Sequence, residues 1–476
     1  MMILPLLFLA LAAQAFDPYY TAFHAQPLKN WCNDPNGPMF INGTYHLFFQ
    51  YNPDGYVWGD MHWYHMKSKD LLHWDHLPVA LAPDKDYDCG GIFSGSATIV
   101  EGSPVLTYSV QCGESIAIAV PKDPNDPDLK EWVKPDSNPV IHRPNTTQNF
   151  RDPTEAWRGE EDGLYRMIVN CDEGTCLFKS ENFVNWTYTG IMWPTDAGFQ
   201  ECPDFYKLPG TETYVYKGSI QGQEWWLVGE YKEVPGLNAL DKFVNTSADV
   251  LFNNQRYDMG TFYASKRFFD PVKNRQVLFA WVNYHCNDTD WAGVQSFPRI
   301  VLPNPAKDNS IITYPIEELQ TLRSPSTPVW TIENTTLNSR GGKTASITSP
   351  DNVGAQLDIL ASFRMTKGLA LDFQLFFDTT TGDNKAVSIA STAQPSFPTL
   401  MGEAFEMYES DAGVVTLRIL VDRSIIEVFV QGGRSAMTEA YCAPNPEHID
   451  DMKVKVVNQG DADVELLSLD VYTLKP

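Results

Sequence analysis

Trp31-Cys-Asn-Asp-Pro-Asn-Gly37 is followed by Thr44-Tyr-His-Leu-Phe-Phe-Gln50. The first stretch is turn chemistry, and the second is a short aromatic-rich run that reads as a strand. The same kind of text recurs at Ile92–Val100, Ser115–Val120, Leu164–Cys171, Thr213–Lys217, Trp225–Glu230 and Gln276–Val282. Each run is β-branched or aromatic and is bounded by Gly, Pro, Asn or Asp. No long helical periodicity precedes residue 316. Evenly spaced short strands over roughly 300 residues suit a β-propeller. Without a tight sequence repeat, the number of blades is not legible from pattern.

Around Tyr314–Leu322 the text changes to a stretch able to form one helical turn or two, followed by Ser324-Pro-Ser-Thr-Pro-Val-Trp330. A boundary near residue 330 is expected there. Beyond it, apolar and polar residues alternate in Gln356–Leu360, Leu371–Phe377, Thr416–Val421, Ile425–Val430, Val454–Val457 and Val464–Tyr472, the pattern of an antiparallel sandwich. The expected division is a leader at 1–15, a catalytic domain at 16–330 and a sandwich at 331–476.

The chain of 476 residues is too long for one ordinary core, and 43% of it is hydrophobic, as in folded globular proteins. Its formal net charge of −25 repels phosphate backbones and anionic membranes, which makes nucleic acid and membrane surfaces poor partners and fits a neutral substrate in an acidic external medium. An acidic pH optimum is expected. The run Ile3–Ala13 is too short to span a bilayer and ends in Ala13-Gln14-Ala15, a cleavage pattern, so removal after Ala15 is expected. Sequons at Asn42, Asn145, Asn185, Asn245, Asn287 and Asn334 match a eukaryotic secretory route, to the cell exterior, the vacuole or the cell wall. Among eight cysteines, Cys171-Asp-Glu-Gly-Thr-Cys176 looks like a hairpin loop whose thiols face across two strands, so a Cys171–Cys176 disulfide is expected. No CxxC pair is present to suggest structural zinc. His62 and His65 would point to opposite faces of a strand, so no metal is expected there either.

Three carboxylates stand out by their surroundings. Asp34 precedes a proline, which pushes it out of the helical region, and an aromatic strand and Trp58-Gly-Asp-Met-His-Trp63 follow it. Asp152 stands in Phe150-Arg-Asp-Pro153. Glu201 is flanked by Phe199, Cys202 and Pro203, where little nearby would solvate it; partial burial would keep it protonated, as a general acid requires. Glycoside hydrolysis uses two carboxyl groups flanking the scissile bond, and a third can steady the oxocarbenium-like transition state. Spacing in sequence does not establish that the three converge.

Taken together and in this order, Trp31–Gly37, Phe93-Ser-Gly-Ser-Ala-Thr98, Phe150–Pro153 and Glu201-Cys-Pro-Asp204 resemble the signature set of glycoside hydrolase family 32, the invertases, fructan exohydrolases and related fructosyltransferases. The resemblance continues in Tyr257–Ser265, Trp291–Arg299 and Val421–Phe429, and so covers nearly the whole chain after the leader. It implies an all-β protein, a five-bladed β-propeller followed by a C-terminal β-sandwich, with the active site in a funnel at the propeller axis. It implies Asp34 as nucleophile, Asp152 as transition-state stabiliser and Glu201 as acid/base of a retaining enzyme. Asn33, Gln50, Trp58, Ser94 and Arg151 would bind the fructosyl unit. No cofactor or metal is implied.

Several positions depart from the family pattern. Cys32 stands where many relatives have methionine, and Asp60 stands where many plant relatives have asparagine, which bears on the sugar beside the fructose. Plant invertases often carry an Asp after a Lys-x-Ser stretch that helps hold the glucose of sucrose. Here Gln221 and Gly222 occupy the place, with Glu224 nearby, so preference between sucrose and fructans stays open. Cys202, if reduced, is expected to confer sensitivity to thiol reagents. Alternatives to a β-fructofuranosidase are a fructan exohydrolase with little sucrose activity, a fructosyltransferase, an inactive fructan-binding relative, and a propeller hydrolase acting on arabinose polymers. Oligomeric state is not legible.

Overall fold

The computed structural model describes residues 17–112, 114–195, 198–247, 255–287, 289–339, 345–394, 396–444 and 446–475. The expected leader at 1–15 lies outside the described residues. Between Asn30 and Pro315 the described residues form five sheets, antiparallel except for one closing pair, the blades of a propeller. Their innermost strands are Asn30–Ile41, Ile92–Val100, Phe150–Arg151, Glu201–Lys207 and Tyr263–Asp270. After Pro315 come a short 3-10 helix, Glu317–Leu322, and then two six-stranded antiparallel sheets, from Trp330 to Thr473, that form the sandwich. Among the described residues no helix is long and apolar enough to cross a membrane.

The two halves differ in how their strands meet water, and the sequence differs accordingly. Every residue of Thr44–Asn52 is buried, because a blade packs on neighbours through both faces. Such a strand shows no alternation between apolar and solvent-facing residues, and its polar members, Thr44, His46, Gln50 and Asn52, are buried with the rest. In the sandwich, Lys453–Asn458 alternates between half-buried and buried positions, because only one face meets the core. That core gathers Phe363, Phe373, Ile419 and Val456 between the sheets. Packing also crosses the blade seams. Phe48 and Trp63 of blade one share a cluster with Leu106 and Tyr108 of blade two. Each fully buried residue of this size contributes about 1.5–3 kcal/mol relative to exposure.

The ring closes on the N-terminal segment. Asn30 and Trp31 pair in parallel with Trp291 and Ala292, and the Gln295 amide donates to the Ala25 carbonyl at 2.8 Å. The sandwich grips the same segment, since Asp422 accepts from the backbone amides of Ala22, Phe23 and His24. His24 contacts Asp422 at 2.7 Å and Glu427 at 3.2 Å. Glu427 also accepts from Arg299 at 2.7 Å, and Arg299 reaches Asp258 at 2.9 Å. All five side chains are buried. Three of the sequence stretches singled out above thus meet at the seam between propeller and sandwich.

Disulfides join Cys89 to Cys112, Cys171 to Cys176 and Cys286 to Cys442, the last one linking blade five to the sandwich. Cys32 and Cys202 are free and buried.

Candidate active site

One backbone irregularity recurs at the start of the innermost strands. Strand register shifts between Cys32 and Pro35, between Ile92 and Gly95, between Glu201 and Asp204, and between Tyr263 and Lys266. Left-handed residues mark the same place in three blades: Asp152 (φ 66°), Cys202 (φ 46°) and Ala264 (φ 53°). A bulge of this kind re-aims a side chain that regular pleating would send elsewhere. Gly95 is required at its bulge, since a Cβ there would lie 1.9 Å from the Thr107 carbonyl oxygen. Asp34, Ser94, Arg151, Asp152, Glu201 and Tyr263 are each presented by one of these irregularities.

The bulges bring side chains of all five blades together in two hydrogen-bonded groups, one around Asp34 and one around Glu201, joined through the backbone at Glu201–Cys202 and Arg151–Asp152. Asp34 accepts from the Ser94 hydroxyl at 2.5 Å and from the Cys202 thiol at 3.4 Å on Oδ2, and from the Asn33 amide at 3.0 Å on Oδ1. Trp31 donates to Asn33 Oδ1 at 2.8 Å, which fixes the Asn33 amide with its nitrogen toward Asp34. Asp152 is buried and accepts from the Cys202 backbone amide at 2.8 Å. Glu201 accepts from Arg151 at 2.8 Å on Oε1 and from the Tyr263 hydroxyl at 2.7 Å on Oε2. Gln50 is buried and donates to the Ile92 carbonyl at 3.0 Å, bracing the strand that carries Ser94. Trp58 is 54% exposed and meets Phe93 edge-on at 6.0 Å.

Burial pushes the Asp152 carboxyl up; Arg151 opposes this, and Glu201 and Asp34 add to it, leaving the group at about 6. Glu201 is not desolvated in the way its sequence neighbours suggest. Its side chain is 38% exposed, and two donors hold it. The reason lies with Phe199, which stacks against the Arg151 guanidinium at 4.2 Å and leaves the Glu201 carboxyl free to meet it.

The Lys217–Glu224 stretch also takes definite form. Gln221 and Gly222 both have positive φ and make the two-residue turn of a hairpin. Glu224 is sealed beneath the site, bonded to Lys217 at 3.1 Å, to Ser265 at 2.6 Å and to Ser219. His62 and His65 face apart: His65 is buried and bonded to His46 at 2.9 Å, while His62 is partly exposed. The sequence reading did not single out Tyr263, Asn36 or Ser109. Asn36 donates to the Asp34 carbonyl and accepts from the Gly95 amide, and Ser109 accepts from the Asp152 amide. Tyr263 lies inside Tyr257–Ser265, a stretch noted only for its resemblance to a family.

Comparison with known proteins agrees from residue 24 to residue 473. Residues 24–315 match the family model "Glycosyl hydrolases family 32 N-terminal domain", and residues 318–473 match "Glycosyl hydrolases family 32 C terminal". A fructan 6-exohydrolase of Triticum aestivum is 34% identical, covering 95% of this chain and 90% of its own. A β-fructofuranosidase, insoluble isoenzyme 1, of Oryza sativa subsp. japonica is 33% identical over 96% and 90%. Among solved structures, fructan 1-exohydrolase IIa from Cichorium intybus superimposes with a TM-score of 0.81 at 29% identity, over 97% of this chain and 98% of the other.

Proposed function

Because the chain belongs to glycosyl hydrolases family 32, we propose that it removes terminal β-D-fructofuranosyl units from sucrose or fructans by double displacement. Asp34 attacks the anomeric carbon as Glu201 gives its proton to the leaving oxygen, and a fructosyl-enzyme results. Glu201 then takes a proton from water, the water oxygen bonds to the anomeric carbon, and Asp34 is released. Ser94, Cys202 and Asn33 hold the Asp34 carboxylate in one orientation, so less freedom is lost on reaching the transition state. Asp152 steadies the positive charge that develops on the sugar ring. Asn33, Gln50, Trp58, Ser94 and Arg151 form the fructosyl subsite.

The observation that carries the reading is that Cys202, the neighbour of Glu201 in the chain, donates its thiol to Asp34 and its backbone amide to Asp152, which brings carboxylates of three separate blades together. A fructan exohydrolase with little sucrose activity is the second reading. It is favoured by the Gln221–Gly222 turn and the sealed Glu224, which leave no carboxylate of that hairpin facing a glucose unit. Secretion is part of the proposal, with the catalytic propeller at 16–330 and the sandwich at 331–476. The asparagines of all six sequons are exposed, as glycosylation requires.

Product analysis after separate incubation with sucrose, inulin and levan at mildly acidic pH tests the proposal. Free fructose from at least one is expected, and Asp34→Asn is expected to abolish it while leaving the melting curve intact. Longer oligosaccharides from sucrose would make the protein a transferase. No product from any of the three, with the protein folded, would leave a binding protein.

A further inference from the structure

We propose that Tyr263 is a positioning residue that confines the catalytic proton to Oε2 of Glu201 and stabilises the carboxylate left when that proton departs. The inference rests on the acid/base role given to Glu201 above and adds to it. Arg151 contacts Oε1 and has only hydrogens to offer, so a proton on that oxygen would meet a cation that cannot accept it. Oε2 meets a phenol, which can accept from a protonated carboxyl and donate to an ionised one. At rest the phenol takes the acid proton. When a glycosidic oxygen arrives and receives that proton, the phenol turns and donates its own hydrogen to Oε2. In the second half of the reaction water returns the proton to Oε2. Tyr263 loses no proton over the cycle. Its bond is stronger to the carboxylate than to the acid, so it stabilises the charge that develops on Glu201 in the transition state.

The geometry that allows this is built across two blades. Glu201 starts the first strand of blade four and Tyr263 starts that of blade five. Ser219, the cross-strand partner of Glu201, and Ser265, two residues beyond Tyr263, both bond to the buried Glu224. Glu224 therefore ties the backing of the carboxyl to the backing of the phenol. The left-handed Ala264 aims Tyr263 away from the regular pleat. Burial, and then the charge of Glu201, push the Tyr263 phenol well above its ordinary range, so it keeps its hydrogen wherever the enzyme works. Other charged or titratable groups around this pair are Arg151 and Asp152 from blade three, Asp34 of blade one beyond Asp152, and Cys202 and Glu224 from blade four.

The test is kinetics of Tyr263→Phe on sucrose and on 1-kestose, with the full pH profile. The expected result is a kcat lower by about ten- to a hundredfold, with KM changed little. The alkaline limb of kcat/KM is expected to move up by about one pH unit, because a lost donor favours the protonated acid. A lower kcat with an unmoved limb would overturn the proposal, as would wild-type kinetics. If Tyr263→Phe does not fold, 3-fluorotyrosine at position 263 keeps the shape and donates more strongly, so the limb should move down instead. An unmoved limb in the fluorinated protein would overturn it equally. Wild-type protein that releases no fructose from sucrose, 1-kestose, inulin or levan would refute the hydrolase reading itself, and the Tyr263 role with it.

Discussion

Replacing His24 by asparagine should change how stability depends on pH. The imidazole is buried between Asp422 and Glu427, with the Phe23 and Phe297 rings beside it. Burial alone would lower its pKa; the hydrogen bonds to Asp422 and Glu427 outweigh this and raise it from 6.5 to about 9. At 1.36 kcal/mol per pH unit, that rise corresponds to about 3 kcal/mol of folding free energy. The folded value lies above the unfolded one. The stability is therefore fully present below pH 6.5 and is lost as pH climbs to about 9. His24→Asn keeps a donor toward Asp422 but does not titrate. Urea unfolding followed by tryptophan fluorescence would give both proteins' stabilities across this range. The gap between them should shrink by about 3 kcal/mol from the lower pH to the higher. Parallel curves would mean that His24 is neutral in the folded protein and that the seam is not fastened by its charge.

Two further outcomes follow from buried groups at the candidate site. Asp152 has its folded value at about 6 against 3.8, so it ionises later in the folded chain and stability falls as pH rises between them. Asp152→Asn should then be more stable than wild type at neutral pH, by up to about 3 kcal/mol, while losing turnover. A lower melting temperature for the variant at neutral pH would refute this. Burial pushes both free thiols, Cys32 and Cys202, above their usual range, so a native protein that resists thiol reagents is the outcome expected here, against the sequence-based expectation for Cys202. Ellman's reagent should find no reactive thiol in the native protein and two after unfolding. Rapid labelling of the native protein would show that the site opens.

The strand runs of the propeller were legible because both faces of each blade are buried, which makes runs such as Thr44–Asn52 rich in aromatic residues and free of charged ones. The repetition of the blades was not. What repeats is a bulge at the start of the innermost strand, and a bulge is a backbone event that different residues can make: Asp152 in one blade, Cys202 in another, Ala264 in a third. The three carboxylates were legible through their neighbours, Pro35, Arg151 and Cys202. The surroundings of Glu201 were not, because Phe199 stacks on Arg151 and not on the acid, and Tyr263 arrives from another blade. Asp258, Arg299, Asp422 and Glu427 stood in stretches marked by resemblance. Only the fold shows that they hold two domains together.

The grip of Asp422 on Ala22 spans 400 residues of chain, and the partner strand of Trp31 lies at Trp291–Ala292. A ribosome that has finished the strand bearing Asp34 has therefore made neither of its distant supports. Contacts so far apart in sequence form slowly, and they form last in a chain made from one end. The growing protein carries Asp34 on an unclosed ring until residues 291–295 have emerged, and the sandwich's grip on the same segment waits for residue 422. The segment that bears Asp34 is therefore secured in two stages, and the second comes only when the polypeptide is nearly complete.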